Sequence, residues 1–355
     1  MKQLLRSTCV ISITLYSLHV SQAEWNHPQT QKLPHRHLGP FLKLSDGSLL
    51  APDAKQVLIS QDEGKSWAGK PLYKNPEKFH TSNERAIIKT RKGTIILAFM
   101  NLKERKFNWN DKKGGPQSDC YLPAYIVRSK DGGHTWLAPQ IIQDHSWCGA
   151  IRSMIQTKSG RIIVAVSKAI ANPGRHVMVT YYSDDEGATW NHSNMIDLGG
   201  SGDHDGAMEG TIVELKDGRI YALIRTRFGR FWEAFSTDEG ASWRTIRPSQ
   251  IPASSSPAIL QRLESGRIVM LWNRFRDPER KKGRREELSI AFSDDECKSW
   301  SKPIIIARDL TPSGQKRENR VSYPYVLEVK PGQLWITTMQ GPVRLTLKEE
   351  DFLTK

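Results

Sequence analysis

The chain has 355 residues, a formal net charge of +14 at pH 7 and four cysteines. The positive balance suits an anionic substrate or surface. However, lysine and arginine are spread along the chain, no recognition helix or nucleic-acid module is present, and no His/Cys/Asp/Glu spacing suggests a metal centre.

Residues 1–23 read as a secretory leader. Lys2 and Arg6 give a positive start, Cys9 to Val20 is largely apolar, and Ser21-Gln22-Ala23 offers a small-residue cleavage site. The apolar run is too short and mixed for a membrane span. The leader implies a secreted or periplasmic protein that starts near Glu24, with residues 24–355 as a single domain. The remaining cysteines, Cys120, Cys148 and Cys297, are odd in number and cannot all pair within the chain. A Cys120–Cys148 bridge stays open, and so does the oligomeric state.

From there the chain alternates two kinds of turn. Apolar, β-branched runs flank a polar turn centred on Gly47, Gly93, Gly160, Gly218, Gly266 and Gly332, which predicts six hairpins. Five are followed by an eight-residue pattern: SQDEGKSW from Ser60, SKDGGHTW from Ser129, SDDEGATW from Ser183, STDEGASW from Ser236 and SDDECKSW from Ser293. With Asp62, Asp131, Asp184, Asp238 and Asp294 as markers, the steps are 69, 53, 54 and 56 residues. A period of that size means a repeat architecture. Serine and aspartate can bond to backbone N–H groups a few residues on, glycine supplies a positive φ, and the final tryptophan offers an apolar wedge. These aspartates are therefore read as struts of a self-tied turn. Cys297, in the glycine slot, is expected to strain the fifth turn. Six four-stranded units describe an all-β fold, a six-bladed β-propeller of antiparallel blades. The sixth unit lacks a strand, which the segment 24–35 is expected to supply.

The turn glycines also act as a ruler. Counting back nine residues reaches the start of each innermost strand, and counting forward six or seven reaches the end of the second. Both lie on the rim opposite the Asp-turns. This gathers Asp53, Glu84, Arg152, Arg175, Glu209, Arg225, Arg285 and Tyr323 at one mouth. So many charged groups at central positions are unusual for plain core. The bland alternatives are structural ion pairs and a core tyrosine. His204, in SGDHDGAME, is read as a loop residue, with a substrate contact as the alternative.

The five turns match the Asp-box (BNR) repeats of the sialidase superfamily, and the resemblance covers essentially the whole chain after the leader. Glu209 followed by TIVELKDGRIYALIRT resembles the stretch in which a glutamate opens a blade and an arginine closes its second strand. Arg285 before EELSIAFSDDE resembles the last arginine of the family's carboxylate-binding triad, and Tyr323 in VSYPYVLEV its tyrosine nucleophile. The first blade departs from the pattern. Leu38 stands where the family's Phe/Tyr-Arg-Ile-Pro motif has arginine, and Arg36 is the nearest substitute. Asp53 is the one candidate for the acid/base aspartate.

The resemblance implies exo-hydrolysis of a terminal sialic acid or related acidic sugar from a glycan, with retention. Tyr323 would attack, Glu209 would take its proton, Asp53 would protonate the leaving oxygen, and Arg225, Arg285 and Arg36 would hold the carboxylate. The resemblance assigns no role to Glu84 and Arg152, which are read as lining a subsite or neutralising each other. No cofactor and no metal is needed. Two other readings remain: a propeller enzyme acting on another acidic, uronate-type polysaccharide, and a glycan-binding propeller without turnover.

Overall fold

A computed structural model describes residues 24–274, 285–310 and 320–353. The leader lies outside them, and so does 280–284 of the basic run Arg280 to Arg285, a run read from sequence as an exposed loop. Blade 1 comprises Leu42–Lys43, Leu49–Pro52, Gln56–Ser60 and Ala68–Pro71. Blade 2 comprises Thr81–Lys89, Ile95–Asn101, Ala124–Ser129 and Gln140–Gln143, and blade 3 Cys148–Gln156, Ile162–Ile170, Arg175–Ser183 and Asn191–His192. Blade 4 comprises Gly210–Glu214, Ile220–Ile224, Arg230–Ser236 and Thr245–Pro252. Blade 5 is built on Ile259–Arg262, Ile268–Trp272, Glu287–Ser293 and Ile304–Asp309, and blade 6 on Ser322–Lys330, Gln333–Gln340 and Arg344–Lys348. Each is an antiparallel sheet, and together they form the predicted six-bladed propeller. Among the described residues no helix is long and apolar enough to cross a membrane.

The N-terminal segment does supply the missing strand. Gln31–Lys32 pairs with Arg344–Lys348 as the outer strand of blade 6. The sequence did not announce a second pairing: Glu24–Asn26 runs along Ile304–Asp309 as a fifth strand of blade 5. The core lies between blades, where side chains of neighbouring sheets interdigitate. Ile96, Ala98 and Ile126 of blade 2 share one cluster with Ile162, Val164 and Val166 of blade 3. Each fully buried aliphatic side chain of this kind contributes about 1.5–3 kcal/mol. Cys120 and Cys148 sit in the same cluster as free thiols, not as a bridge.

The Asp-turns tie themselves as their composition demands. In the first, Ser60 donates to Asp62 at 2.8 Å, the Gly64 N–H donates to Ser60 Oγ at 2.8 Å, and Ser66 donates to Asp62 through its N–H at 2.9 Å and its hydroxyl at 2.6 Å. The Ser66 hydroxyl leads the set of hydrogen bonds that hold the Asp62 carboxyl down at about 2, where it is no proton donor. In the turns with two adjacent aspartates, Asp185 and Asp295 make these bonds, so they and not the marker residues Asp184 and Asp294 are the struts. Cys297 holds a φ of 63° where the other turns have glycine, the left-handed strain expected of it.

Glycine in this slot is also needed for space. A Cβ on Gly64 would sit 2.6 Å from the Trp335 ring of blade 6, at a φ of +86°. Gly218 has nearly the same φ, +87°, but open space around it. Gly64→Ala is therefore expected to lose about 2–5 kcal/mol from strain plus overpacking, and Gly218→Ala about 1 kcal/mol from strain alone. Equilibrium urea unfolding of the two variants checks the difference, and equal losses would refute the packing role of the turn.

Candidate active site

The ends of the inner strands converge on a cavity of about 300 Å³ at the rim away from the Asp-turns. Glu84 of blade 2, Glu209 and Arg225 of blade 4, and Tyr323 of blade 6 line it. Glu209 immediately precedes the first strand of blade 4 and Arg225 immediately follows the second. The Arg225 N–H donates to the Glu209 carbonyl at 3.0 Å, which continues the hairpin ladder and sets the two side chains side by side. Arg225 Nη1 then donates to both carboxylate oxygens of Glu209 at 2.7 Å, and to Tyr323 Oη at 3.0 Å. Tyr323 Oη donates to Glu209 Oε1 at 3.0 Å. Arg225 is 3% exposed and Glu209 8%, so this triangle of groups is nearly dry.

Tyr323 reaches it through an unusual backbone. Its φ is 61°, a left-handed value that costs a bulky residue about 1–3 kcal/mol and clusters at functional sites. In the ladder, Ser322 pairs with Gln340 and Pro324 with Thr338, with Tyr323 between them. Proline cannot donate a ladder bond at that point.

Burial raises the Tyr323 phenol above its ordinary value and the Glu209 charge adds to this, against Arg225, so the resting phenol is neutral. Burial would also raise Glu209, but the charge and hydrogen bonds of Arg225 prevail and bring it down to about 2. Glu84 has no such direct partner. Burial and then the Glu209 charge push it up to about 7, against the pull of the surrounding arginines.

Arg285 reaches the same tyrosine from blade 5. Its guanidinium lies 5.2 Å from the Tyr323 ring centre, and it donates to the Ser255 carbonyl at 2.6 Å and to Gln340 at 2.9 Å. Ser255 Oγ also accepts from Arg225, so one serine steers both arginines. Arg152 is held by Pro324 O at 2.7 Å and sits over the rings of Tyr323 and Tyr325, 5.3 and 4.3 Å from their centres. It can face the axis because the blade 3 ladder slips between Ile151 and Ser153, a bulge that re-aims a side chain.

Three sequence-selected residues do not meet this group. Arg175 is paired with Asp197 at 2.5 Å on the outer part of blade 3. Asp53 lies at the turn between the second and third strands of blade 1, where Gln56 donates to it at 3.5 Å, and it is not among the residues lining the cavity. The cause is the shortness of that turn, whose Asp53 N–H bonds straight back to Gln56 O. Arg36 is exposed, its carbonyl accepts from Arg344, and it too is absent from the lining. Loops supply what the ruler did not reach. Arg105 and Phe107, from the insertion between the second and third strands of blade 2, form one wall with Trp147, and His176, Asp203 and His204 form another. His176 Nε2 donates to the Asp203 carbonyl at 2.8 Å and fixes that loop.

A larger void of about 640 Å³ follows the axis towards the opposite rim. Its walls are mainly aliphatic and basic, and it lacks the phenol–carboxylate pair. Among the described residues no group of three or more His, Cys, Asp or Glu side chains is placed to hold a metal ion.

Residues 55–336 match the family model of the BNR repeat-like domain. This chain belongs to the BNR-repeat propellers of the sialidase superfamily. A curated relative, a sialidase of Micromonospora viridifaciens, is 26% identical over 230 residues, or 59% of this chain. This BNR propeller spans only 34% of the length of that relative. Among solved structures, the Hadza microbial sialidase Hz136 superposes with a TM-score of 0.64 at 17% identity, covering 88% of this chain and 65% of that one. A protein of unknown function from Dyadobacter fermentans superposes with a TM-score of 0.62, also at 17% identity, covering 90% and 98%. At such identities these likenesses speak for the propeller fold.

Proposed function

We propose that this BNR propeller is a retaining exo-glycosidase that removes a terminal sialic acid, or a related acidic sugar, from a glycan. The observation that carries this reading is the hydrogen-bonded triangle of Tyr323, Glu209 and Arg225 at the foot of the cavity. A carboxylate nucleophile would be repelled by a carboxylate on the anomeric carbon, and a neutral phenol is not; sialidases are the exception to the two-carboxylate scheme on this account. Arg225 and Arg285 are the carboxylate clamp, by charge-assisted and bidentate bonding.

Substrate would also change the base. In the resting site Arg225 holds Glu209 ionised and weakly basic. A bound carboxylate shares that guanidinium and adds a second negative charge nearby, and both effects raise the proton affinity of Glu209. Glu209 then accepts the phenol proton as Tyr323 bonds to the anomeric carbon. We place the activity outside the cytoplasm, on the strength of the leader-like residues 1–23.

The test is hydrolysis of a fluorogenic α-sialoside by purified wild-type protein, with the first-formed anomer read by NMR. Release with retention is expected. No release, alongside shortening of a uronate glycan, would move the enzyme to another acidic sugar, and inversion would remove the tyrosyl intermediate.

A further inference from the structure

The reading above leaves the leaving group without a proton donor, because Asp53 lies away from the cavity. We propose that Glu84 is that donor, and that its carboxylate then activates the incoming water. The inference rests on the glycosidase reading.

The geometry comes from an irregularity in blade 2. The ladder between the first and second strands slips between Thr81 and Arg85, so residues 82–84 bulge where a regular strand would alternate. Arg85 turns away, donating to the Ser82 and Gly39 carbonyls, while Glu84 lines the cavity. The bulge is anchored from across the axis. Tyr325 Oη donates to Asn83 O at 2.6 Å and accepts from the Arg85 N–H at 3.2 Å, which pins the residues on either side of Glu84. Tyr325 is two residues from Tyr323 on the same strand. One strand of blade 6 therefore sets the nucleophile directly and the proposed acid through a hydrogen bond. Glu84, Glu209 and Tyr323 stand on blades 2, 4 and 6, alternate blades of the ring, so a sugar held by Tyr323 and Glu209 has Glu84 across from them.

The surroundings favour the protonated acid. Glu209 and Arg225 face Glu84 from blade 4, Arg152 from blade 3 and Arg285 from blade 5. Tyr323 faces it from blade 6 and the Cys148 thiol from blade 3. Arg105, His176, Asp203 and His204 complete the cavity. Burial and the fixed negative charge of Glu209 outweigh the arginines and keep Glu84 protonated up to about 7, as a general acid working near neutrality requires.

In the first step the glycosidic C–O bond breaks and the Glu84 proton passes to the leaving oxygen. Tyr323 Oη bonds to the anomeric carbon and its proton passes to Glu209. In the second step water attacks that carbon and gives its proton to Glu84. The bond to Tyr323 breaks, and the phenol recovers its proton from Glu209.

The experiment compares an aryl sialoside, whose phenol leaves readily, with a sialoside of a sugar alcohol, which needs protonation. For Glu84→Gln, kcat/KM on the sugar-linked substrate should fall about 10²–10⁴-fold, with a much smaller loss on the aryl substrate. The basic limb of the wild-type pH profile near neutrality should disappear on the sugar-linked substrate. In Glu84→Ala, azide should accelerate turnover of the aryl substrate and yield a glycosyl azide. Equal losses on both substrates would overturn the assignment, as would the same leaving-group dependence appearing in Asp203→Asn instead. If wild type cleaves neither sialoside, the glycosidase reading fails rather than the choice of acid.

Discussion

Tyr323→Phe should lose hydrolysis of the acidic glycoside by about 10³-fold or more while keeping the fold. The substitution removes one oxygen. That oxygen donates to Glu209 and accepts from Arg225. Phenylalanine keeps the ring under the Arg152 and Arg285 guanidiniums, and the Glu209–Arg225 pair keeps its own two bonds. Substrate affinity should change little, because the carboxylate clamp is intact. The measurements are kcat and KM on the aryl sialoside together with a thermal melt. A variant that melts normally and retains near wild-type kcat would exclude Tyr323 as nucleophile, and the site would then be a binding pocket whose chemistry lies elsewhere.

Arg225→Met should have the largest effect on the fold, a loss of about 3–5 kcal/mol at neutral pH. The reason is less the lost pair than the charge left behind, since Glu209 stays buried without its main countercharge. The double variant Arg225→Met/Glu209→Gln should recover much of the loss, and urea unfolding of the three variants measures it.

The pH dependence separates this from a simple packing defect. In wild type the folded carboxyl of Glu209 lies near 2, below its ordinary value of 4.5. The pair thus stabilises fully above pH 4.5, and that contribution fades as pH falls towards 2. Without Arg225, burial should raise the folded carboxyl above 4.5, so stability should instead decline as pH rises through that range. The same logic makes Glu84, near 7 when folded, a destabilising group whose cost grows between pH 4.5 and 7 in wild type. A stability profile of Arg225→Met that runs parallel to wild type from pH 3 to 7 would show that Arg225 acts only as packing.

The repeat made most of the ring readable before any coordinates. Glycines at hairpin turns need open space and a positive φ, so they recur in register, and strand starts can be counted from them. Glu209 and Arg225 fall where that count puts them because the blade 4 hairpin between them is regular, and Tyr323 falls there although the blade 6 ladder shifts register between Glu328 and Lys330. The count weakens wherever the ladder slips. It reached Arg152 only by allowing one residue of slip, and the bulge in blade 3 is what turns that arginine to the axis. In blade 1 the strands are short and the turn at Asp53 is tight, so the count reached the rim but not the cavity.

Arg105, Phe107, Asp203 and His204 come from connections with no counterpart in other blades, and nothing aligned them. A faint sign existed for the first pair: the step between the first two Asp-turns is 69 residues, well above the others, and the extra length lies in blade 2. Ser255 and Gln340 carried no sign, because a serine or glutamine that steers an arginine looks like any surface polar residue.

The pairing of Gln31–Lys32 with Arg344–Lys348 makes this ring a clasp. Thermodynamically the clasp is cheap, since loop closure grows only logarithmically and each doubling of length costs about 0.6 kcal/mol. Kinetically it is demanding, because contacts this distant in sequence form late. A ribosome delivers residue 31 well before residue 346, so in that interval the outer edges are open. An open edge is a template for any strand, including that of a neighbouring copy. The step in which this protein is most vulnerable to its own kind is the interval before that clasp closes.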